Sequence, residues 1–313
     1  MQASCSPSVV SGNAALPVTI VGGYLGSGKT TLINHVLNSA TGCRYAVLVN
    51  DFGELAIDAQ LIESEKGDVI SLSGGCVCCS YGNDLTSALL QLDTTTIDQV
   101  IIEASGVALP GAIAGSLSLL SAFMVSSIVV LVDSTSVEEQ SSDRYLADTI
   151  GRQLAAADLV LINKIDLLDE QQAEQVKDWV RKHYPSARIV VTSHANYPLD
   201  LFLLEHSVNH AYADEIKINE SHATSIYTTF TIDVEGKYDV PELAAKLANA
   251  EPGLLRVKGF VRDLDNCIQL IQIVGKRWTV QQAPAKVKEG LVCIGLSSDK
   301  ITCESISSIV ELA

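Results

Sequence analysis

Long apolar runs, clusters of positive charge and aromatic residues are all scarce in this chain of 313 residues. No segment reaches the roughly 18 consecutive apolar residues that a membrane-spanning helix needs, so no membrane partner is expected. Lys and Arg never occur in runs, and the formal net charge is −16. That charge argues against nucleic acid or an anionic membrane surface as a main partner. Met1 to Ala15 has neither the basic start and apolar core of a secretion signal nor the arginines of a transit sequence. Residues 1–16 read as a disordered lead, and the chain as cytoplasmic. The eight cysteines lack the spacing of a secreted disulfide framework. Five of them, Cys5, Cys43, Cys267, Cys293 and Cys303, read as core or surface thiols.

Hydrophobic residues make up 47% of the chain and charged residues 19%, which suits a folded protein with a sizeable core. The length suggests two domains at about 150 residues each. From Pro17 to Leu204, short apolar runs alternate with amphipathic stretches. Strands are expected at Val18–Val21, Ala46–Val49, Val69–Leu72, Gln99–Ile102, Ser127–Val132, Leu159–Ile162 and Arg188–Val191. Most are β-branched and continuously apolar, as strands buried on both faces are. Helices are expected at Lys29–Ser39, Asn83–Leu92, Arg144–Ala156 and Glu170–His183. This alternation implies an α/β fold with a doubly wound, mostly parallel sheet over residues 17–204, whose ligands bind at the carboxyl ends of the strands.

Residues 205–223 read as a polar linker containing His206, His210 and His222. Residues 224–313 read as a smaller α+β domain. Its expected strands are Ile226–Val234, Leu254–Arg262, Cys267–Val274 and Leu291–Leu296, and its helices Val240–Ala250 and Ile301–Leu312. Arg256, Lys258 and Arg262 read as a solvated strand face.

Gly23-Tyr24-Leu25-Gly26-Ser27-Gly28-Lys29-Thr30 follows the first strand and opens the first helix, the context that a phosphate-binding P-loop requires. Gly23, Gly26, Ser27 and Gly28 let backbone N–H groups wrap phosphates. Lys29 brings a point charge to the β- and γ-phosphates, and Thr30 a hydroxyl to Mg²⁺. Asn163-Lys164-Ile165-Asp166 follows the sixth expected strand. A carboxylate such as Asp166 accepts from both N1–H and the 2-amino group of guanine, a donor pair that adenine lacks, so the tetrapeptide selects GTP over ATP. Thr192-Ser193-His194 follows the next strand and could back the base. Glu103-Ala104-Ser105-Gly106 ends the fourth expected strand; Glu103 would hold Mg²⁺, directly or through water, and the Gly106 N–H would sense the γ-phosphate. Asn50-Asp51-Phe52-Gly53-Glu54 ends the second. Its acids, Asp51 and Glu54, could touch Mg²⁺, orient the attacking water or bind a second metal.

The remaining three cysteines fall within four residues, in Ser73-Gly74-Gly75-Cys76-Val77-Cys78-Cys79. As thiolates, Cys76, Cys78 and Cys79 suit Zn²⁺, which prefers four ligands in tetrahedral geometry. So short a segment can aim two or three ligands one way. Completion needs Glu54, a histidine, or a second copy of the chain, the last of which would make a homodimer. The vacancy suits delivery of metal better than structure. A redox switch is the other reading of neighbouring thiols.

This set of motifs resembles the CobW-type GTPases, a branch of the P-loop metallochaperone GTPases. The matching residues are Gly22–Thr31, Asn50–Glu54, Gly75–Cys79, Glu103–Gly106 with Pro110, and Asn163–Asp166; Pro252–Phe260 extends the likeness into the second domain. The resemblance adds Thr31 to the nucleotide-binding set. It implies a GTPase that binds Zn²⁺ or Co²⁺ at Cys76, Cys78 and Cys79, with Glu54 nearby, and delivers it to a client protein. Catalytic roles would fall to Lys29, Asp51 and Glu103. No glutamine or arginine finger is evident in cis, so slow intrinsic hydrolysis is expected. A GTP-dependent thiol redox module without metal transfer is the alternative.

Overall fold

A computed structural model describes residues 15–39, 44–49, 69–73, 83–195, 197, 227–251, 253–283, 287, 289–297 and 301–311. The first domain runs β1 (Leu16–Gly23), α1 (Lys29–Ser39), β2 (Tyr45–Val49), β3 (Val69–Ser73), α2 (Asn83–Leu90), β4 (Gln99–Glu103), α3 (Pro110–Leu117), β5 (Phe123–Asp133), α4 (Val137–Ser142), α5 (Ala147–Ala155), β6 (Leu159–Asn163), α6 (Glu170–His183) and β7 (Arg188–Val191). The strands form one sheet in the order β3-β2-β4-β1-β5-β6-β7, with every neighbour parallel. Between β4 and β5 the chain passes from one side of β1 to the other. That crossing opens a crevice at the carboxyl end of β1, where ligands of such sheets bind.

Continuous hydrophobicity along the strands follows from burial on both faces. Val18, Ile20, Ile102, Val130 and Ile162 pack into one core with Leu154 and Val180, while Val21, Val47, Ile101, Leu131 and Leu161 pack into another with Leu32, Ile33 and Val36 of α1. β5 begins four residues before its expected start. Its opening polar residues are paired across the sheet: Ser126 Oγ donates to Val18 O at 2.9 Å, and Ser127 Oγ lies 3.3 Å from Thr19 Oγ1. Gln99 Nε2 donates to the same Thr19 hydroxyl at 2.8 Å.

The expected helix from Arg144 starts later, at Ala147. Asp143 Oδ1 accepts from the N–H groups of Tyr145 and Leu146, which makes a turn where the helix was expected. α3 and α4 carry no periodicity strong enough to have been read from the sequence. α6 agrees residue for residue, because Asp169 and Gln172 form a reciprocal capping box at its start.

The second domain comprises β8 (Tyr227–Ile232), α7 (Val240–Ala248), β9 (Arg256–Arg262), β10 (Ile268–Val274), β11 (Arg277–Gln282), β12 (Gly290–Leu296) and α8 (Cys303–Glu311). Its sheet is antiparallel, in the order β11-β10-β9-β12-β8. The two helices supply Leu243, Leu247, Ile306 and Val310 to a core with Val257, Ile271 and Leu291. β11 was absent from the expected elements. Arg256 and Lys258 correct a second reading: at 4% and 8% exposure they are buried, not solvated. Cys293 is buried and its thiol is pushed up to about 12, burial being the main cause, while Cys303 is exposed; no disulfide joins these or Cys267.

The two domains share buried surface. Leu255, Val274 and Ile294 of the second lie in one cluster with Ala195 and Tyr197 of the first. Arg277 Nε donates to Asp158 Oδ2 at 2.6 Å, and Ile128 N donates to the same oxygen at 2.7 Å. Burial raises the Asp158 carboxyl above its ordinary value; Arg277 and the Ile128 N–H pull the other way without cancelling it.

Arg277→Met is expected to remove roughly 2 kcal/mol of stability, less than a fully buried pair because Arg277 is 31% exposed. The pH dependence fixes the cause. A carboxyl raised in the folded state favours folding most below the unfolded value of about 3.8, and that contribution is lost as pH rises through the folded pKa. Without Arg277 the raise is larger, so the deficit in melting temperature should shrink as pH falls toward 4. A deficit independent of pH would show that packing, not charge, is what was lost.

Candidate functional site

β1 ends at Gly23, and the loop Tyr24–Gly28 wraps into the first turn of α1. Gly28 has φ +105°, and a Cβ there would collide with the Asn163 side-chain amide. Gly26 has φ +74° and open space beside it, which leaves its backbone accessible to a ligand. Lys29 is 8% exposed, and its Nζ donates to Tyr24 O at 3.1 Å, so the ammonium arches back over its own loop. Ser27 Oγ is buried without a hydrogen-bond partner among the described residues. Thr30 and Thr31 follow in the first turn of α1, Thr31 exposed.

Thr30 Oγ1 donates to Glu103 Oε1 at 2.8 Å. The sheet register sets this meeting: Glu103, the last residue of β4, pairs with Val21 on one side and Val49 on the other. Beyond it the chain turns, Ala108 N donating to Ser105 O at 3.0 Å. Gly106 lies against the P-loop. A Cβ on it would collide with the Leu25 side chain and lie 2.9 Å from Leu25 N. On the far side, Gln153 Nε2 of α5 donates to Gly106 O at 3.1 Å and Ala108 O at 2.9 Å. Pro110 then opens α3 against Gly22.

Asn163 closes the third side. Its Nδ2 donates to Ser27 O at 2.9 Å, and its Oδ1 accepts from Ala195 N at 2.9 Å. One buried side chain therefore ties the P-loop to the loop after β7. His194 and Ala195 both have positive φ there, 53° and 52°. Lys164 takes a left-handed backbone, φ 63°, and its Nζ donates to Asp133 Oδ2 at 2.6 Å. Burial works to raise the Asp133 carboxyl, but hydrogen bonds from Lys164 and from the Thr135 hydroxyl and N–H, with the lysine's charge, hold it below its ordinary value. Asp166 sits exposed in the short 3₁₀ turn Ile165–Leu167, which Ile165 N pins to Thr192 O at 3.3 Å.

The Tyr24–Gly28 loop, the Thr30–Glu103 pair and the Asn163–Asp166 tetrapeptide thus share the carboxyl end of the sheet. Residues 17–191 match the family model of the CobW/HypB/UreG nucleotide-binding domain, and residues 227–306 match that of the cobalamin synthesis protein cobW C-terminal domain. This chain belongs to the CobW family. Among similar proteins is a zinc chaperone CobW of Pseudomonas aeruginosa, 32% identical, the alignment covering 85% of this chain and 82% of that one. A zinc chaperone YjiA of Escherichia coli is 31% identical, over 79% and 81% respectively. A zinc-regulated GTPase metalloprotein activator 1 of Dictyostelium discoideum is 32% identical over 61% of this chain and 48% of its own length.

Within this CobW-family chain, the structure brings together Gly23, Gly26, Ser27, Gly28, Lys29, Thr30, Glu103, Gly106, Asn163, Lys164 and Asp166, with Thr192–His194 beside them. Asp51, Glu54, Cys76, Cys78 and Cys79 lie outside the described residues. Their segments follow β2 and β3, whose last residues pair as Val49↔Ser73, next to Glu103. Among the described residues, no group of three His, Cys, Asp or Glu could hold a metal, and no helix is long and apolar enough to cross a membrane.

Asp133, Gln153 and Ala195 were missed from the sequence. Asp133 had a signal: it is the first polar residue after the apolar run of β5, in register with Asn163. Gln153 and Ala195 had none, since their partners lie far off in the chain.

Proposed function

We propose that this chain is a GTP-hydrolysing metallochaperone that binds Zn²⁺, with Co²⁺ as an alternative cargo, at Cys76, Cys78 and Cys79 and passes it to a client metalloprotein. The observation that supports this most is the register at one sheet edge. β2, which leads into the Asn50–Glu54 segment, ends beside Glu103, whose other neighbour is Val21 of β1, and β3, which leads into the Cys76–Cys79 segment, ends beside β2, one strand further out. Events at a γ-phosphate and at the thiols would therefore be neighbours.

GTP is the substrate of this reading. Lys29 would exchange its bond to Tyr24 O for phosphate oxygens, and the Gly106 N–H would meet the γ-phosphate. Asp166 would take the guanine edge, with Asn163 holding the two flanking loops. Thr30 and Glu103 present hard oxygen donors 2.8 Å apart, which fits Mg²⁺. Bound there, the ion supplies neutralisation of charge on the β- and γ-phosphates. Asp51 would orient the attacking water. Loss of the γ-phosphate would release the segments it orders, loosen the thiol site and free the cargo. Linkage requires the metal to tighten GTP by the factor by which GTP tightens the metal. Glu54, a histidine or a second copy of the chain completes the cargo site.

Anaerobic titration with Co²⁺ in the presence of Mg²⁺ and a non-hydrolysable GTP analogue tests this. A thiolate-to-cobalt absorption band is expected for the wild type, at least about tenfold tighter than with GDP, and is expected to vanish in Cys78→Ala/Cys79→Ala. Equal metal affinity with either nucleotide would sink the coupled model. GTP binding that ignores chelators but responds to an internal disulfide would favour the redox reading instead.

A further inference from the structure

Gln153 is 1% exposed, on a helix whose other inward residues are apolar: Ile150 and Leu154 belong to the core under the sheet. A buried amide is costly unless its donors are used. Here both N–H groups go to backbone carbonyls 47 and 45 residues earlier in the chain, Gly106 O and Ala108 O. The Ser105–Ala108 turn is thus gripped from one side by Gln153 and packed on the other against Leu25 of the P-loop. A cavity of about 10 Å³ lies between Tyr24, Leu25 and Ser27 on one wall and Ile150, Gln153 and Leu154 on the other. That is near the lower limit for a single water.

We propose that Gln153 is a positioning residue for the γ-phosphate: its amide holds the Gly106–Ala108 backbone where the Gly106 N–H can meet that phosphate. Its amide nitrogen is committed to two loop carbonyls. Its action is therefore through the loop and not on the attacking water. Because GDP has no γ-phosphate, the effect separates the two nucleotides. The inference rests on the GTPase reading above, and the comparison of nucleotides keeps the two distinguishable.

The test uses the full chain with Mg²⁺, titrated with fluorescent GDP and a fluorescent non-hydrolysable GTP analogue, together with steady-state GTP hydrolysis. Gln153→Met keeps length and volume and removes the amide. It is expected to leave the GDP affinity within about twofold, weaken the GTP analogue about tenfold and lower kcat by a similar factor. Should that variant not fold, Gln153→Asn, which keeps the amide and withdraws it by one methylene from the two carbonyls, carries the same comparison. Equal weakening of both nucleotides, or an unchanged ratio between them, overturns the positioning role. A wild type that binds no guanine nucleotide overturns both this role and the function on which it rests.

Discussion

Replacing Asn163 with alanine is expected to destabilise the protein by about 2–4 kcal/mol and to weaken guanine-nucleotide binding by at least roughly 100-fold. Asn163 is 3% exposed and makes two bonds that join separate loops, one to Ser27 O and one from Ala195 N. Truncation leaves a carbonyl and an N–H unpaired where little water can reach, and each such group costs roughly 1–3 kcal/mol. It also opens space against Gly28, whose Cα lies close to the Asn163 amide. The binding loss follows from geometry: Ser27 and Gly28 carry the N–H groups that would wrap the phosphates, and their loop would lose its anchor. Asn163→Asp sharpens the test. The carboxylate keeps an acceptor for Ala195 N but sets oxygen against Ser27 O, so phosphate binding should fail while the Ala195 side stays paired. Thermal melts with and without GDP read both effects. An alanine variant that GDP stabilises as much as the wild type would show that the two loops are not coupled through this residue.

The parts of the molecule that were legible in the sequence are those whose chemistry is local. The P-loop, α6 and the buried strands each announce themselves within about ten to fifteen residues, through glycine placement, amphipathic spacing or continuous β-branched runs. What escaped depends on distant partners. The start of β5 was hidden because Ser126 looks like a loop residue until Val18 O is placed beside it. Arg256 and Lys258 look like a solvated face because alternation says nothing of what covers a strand. Gln153 is one polar residue on an amphipathic helix, and nothing nearby in the sequence marks it as the grip on Gly106. α3 begins at a proline but continues through small residues whose periodicity is weak. The sequence reading of Asn163–Asp166 named the residues but not the bonds that they make. Lys164 is turned away into a left-handed backbone toward Asp133, and it is Asn163 that links the loops.

Asp166→Asn is expected to lower GTP affinity by roughly 100- to 1,000-fold and to make XTP the preferred triphosphate. Donors and acceptors along the base edge set this outcome. Guanine offers N1–H and a 2-amino group on one edge, and an ionised carboxylate accepts from both. A carboxamide keeps one acceptor and turns a donor toward the 2-amino group, so one bond is lost and two donors face each other. Xanthine carries a carbonyl at that position, which accepts from the new amide. The scaffold should survive the change. Asp166 is exposed, and its turn is held by backbone bonds that the substitution leaves alone, Ile165 N to Thr192 O and Leu167 N to Lys164 O. Inosine triphosphate supplies the internal control: it lacks the 2-amino group, so the wild type should bind it about tenfold less tightly than GTP, and the variant should show a much smaller difference. ATP should remain a poor ligand for both. Displacement of a fluorescent guanine diphosphate by each triphosphate measures the series. If the variant binds GTP as tightly as the wild type, the base does not dock on Asp166, and the nucleotide selectivity must come from the loop around His194 instead.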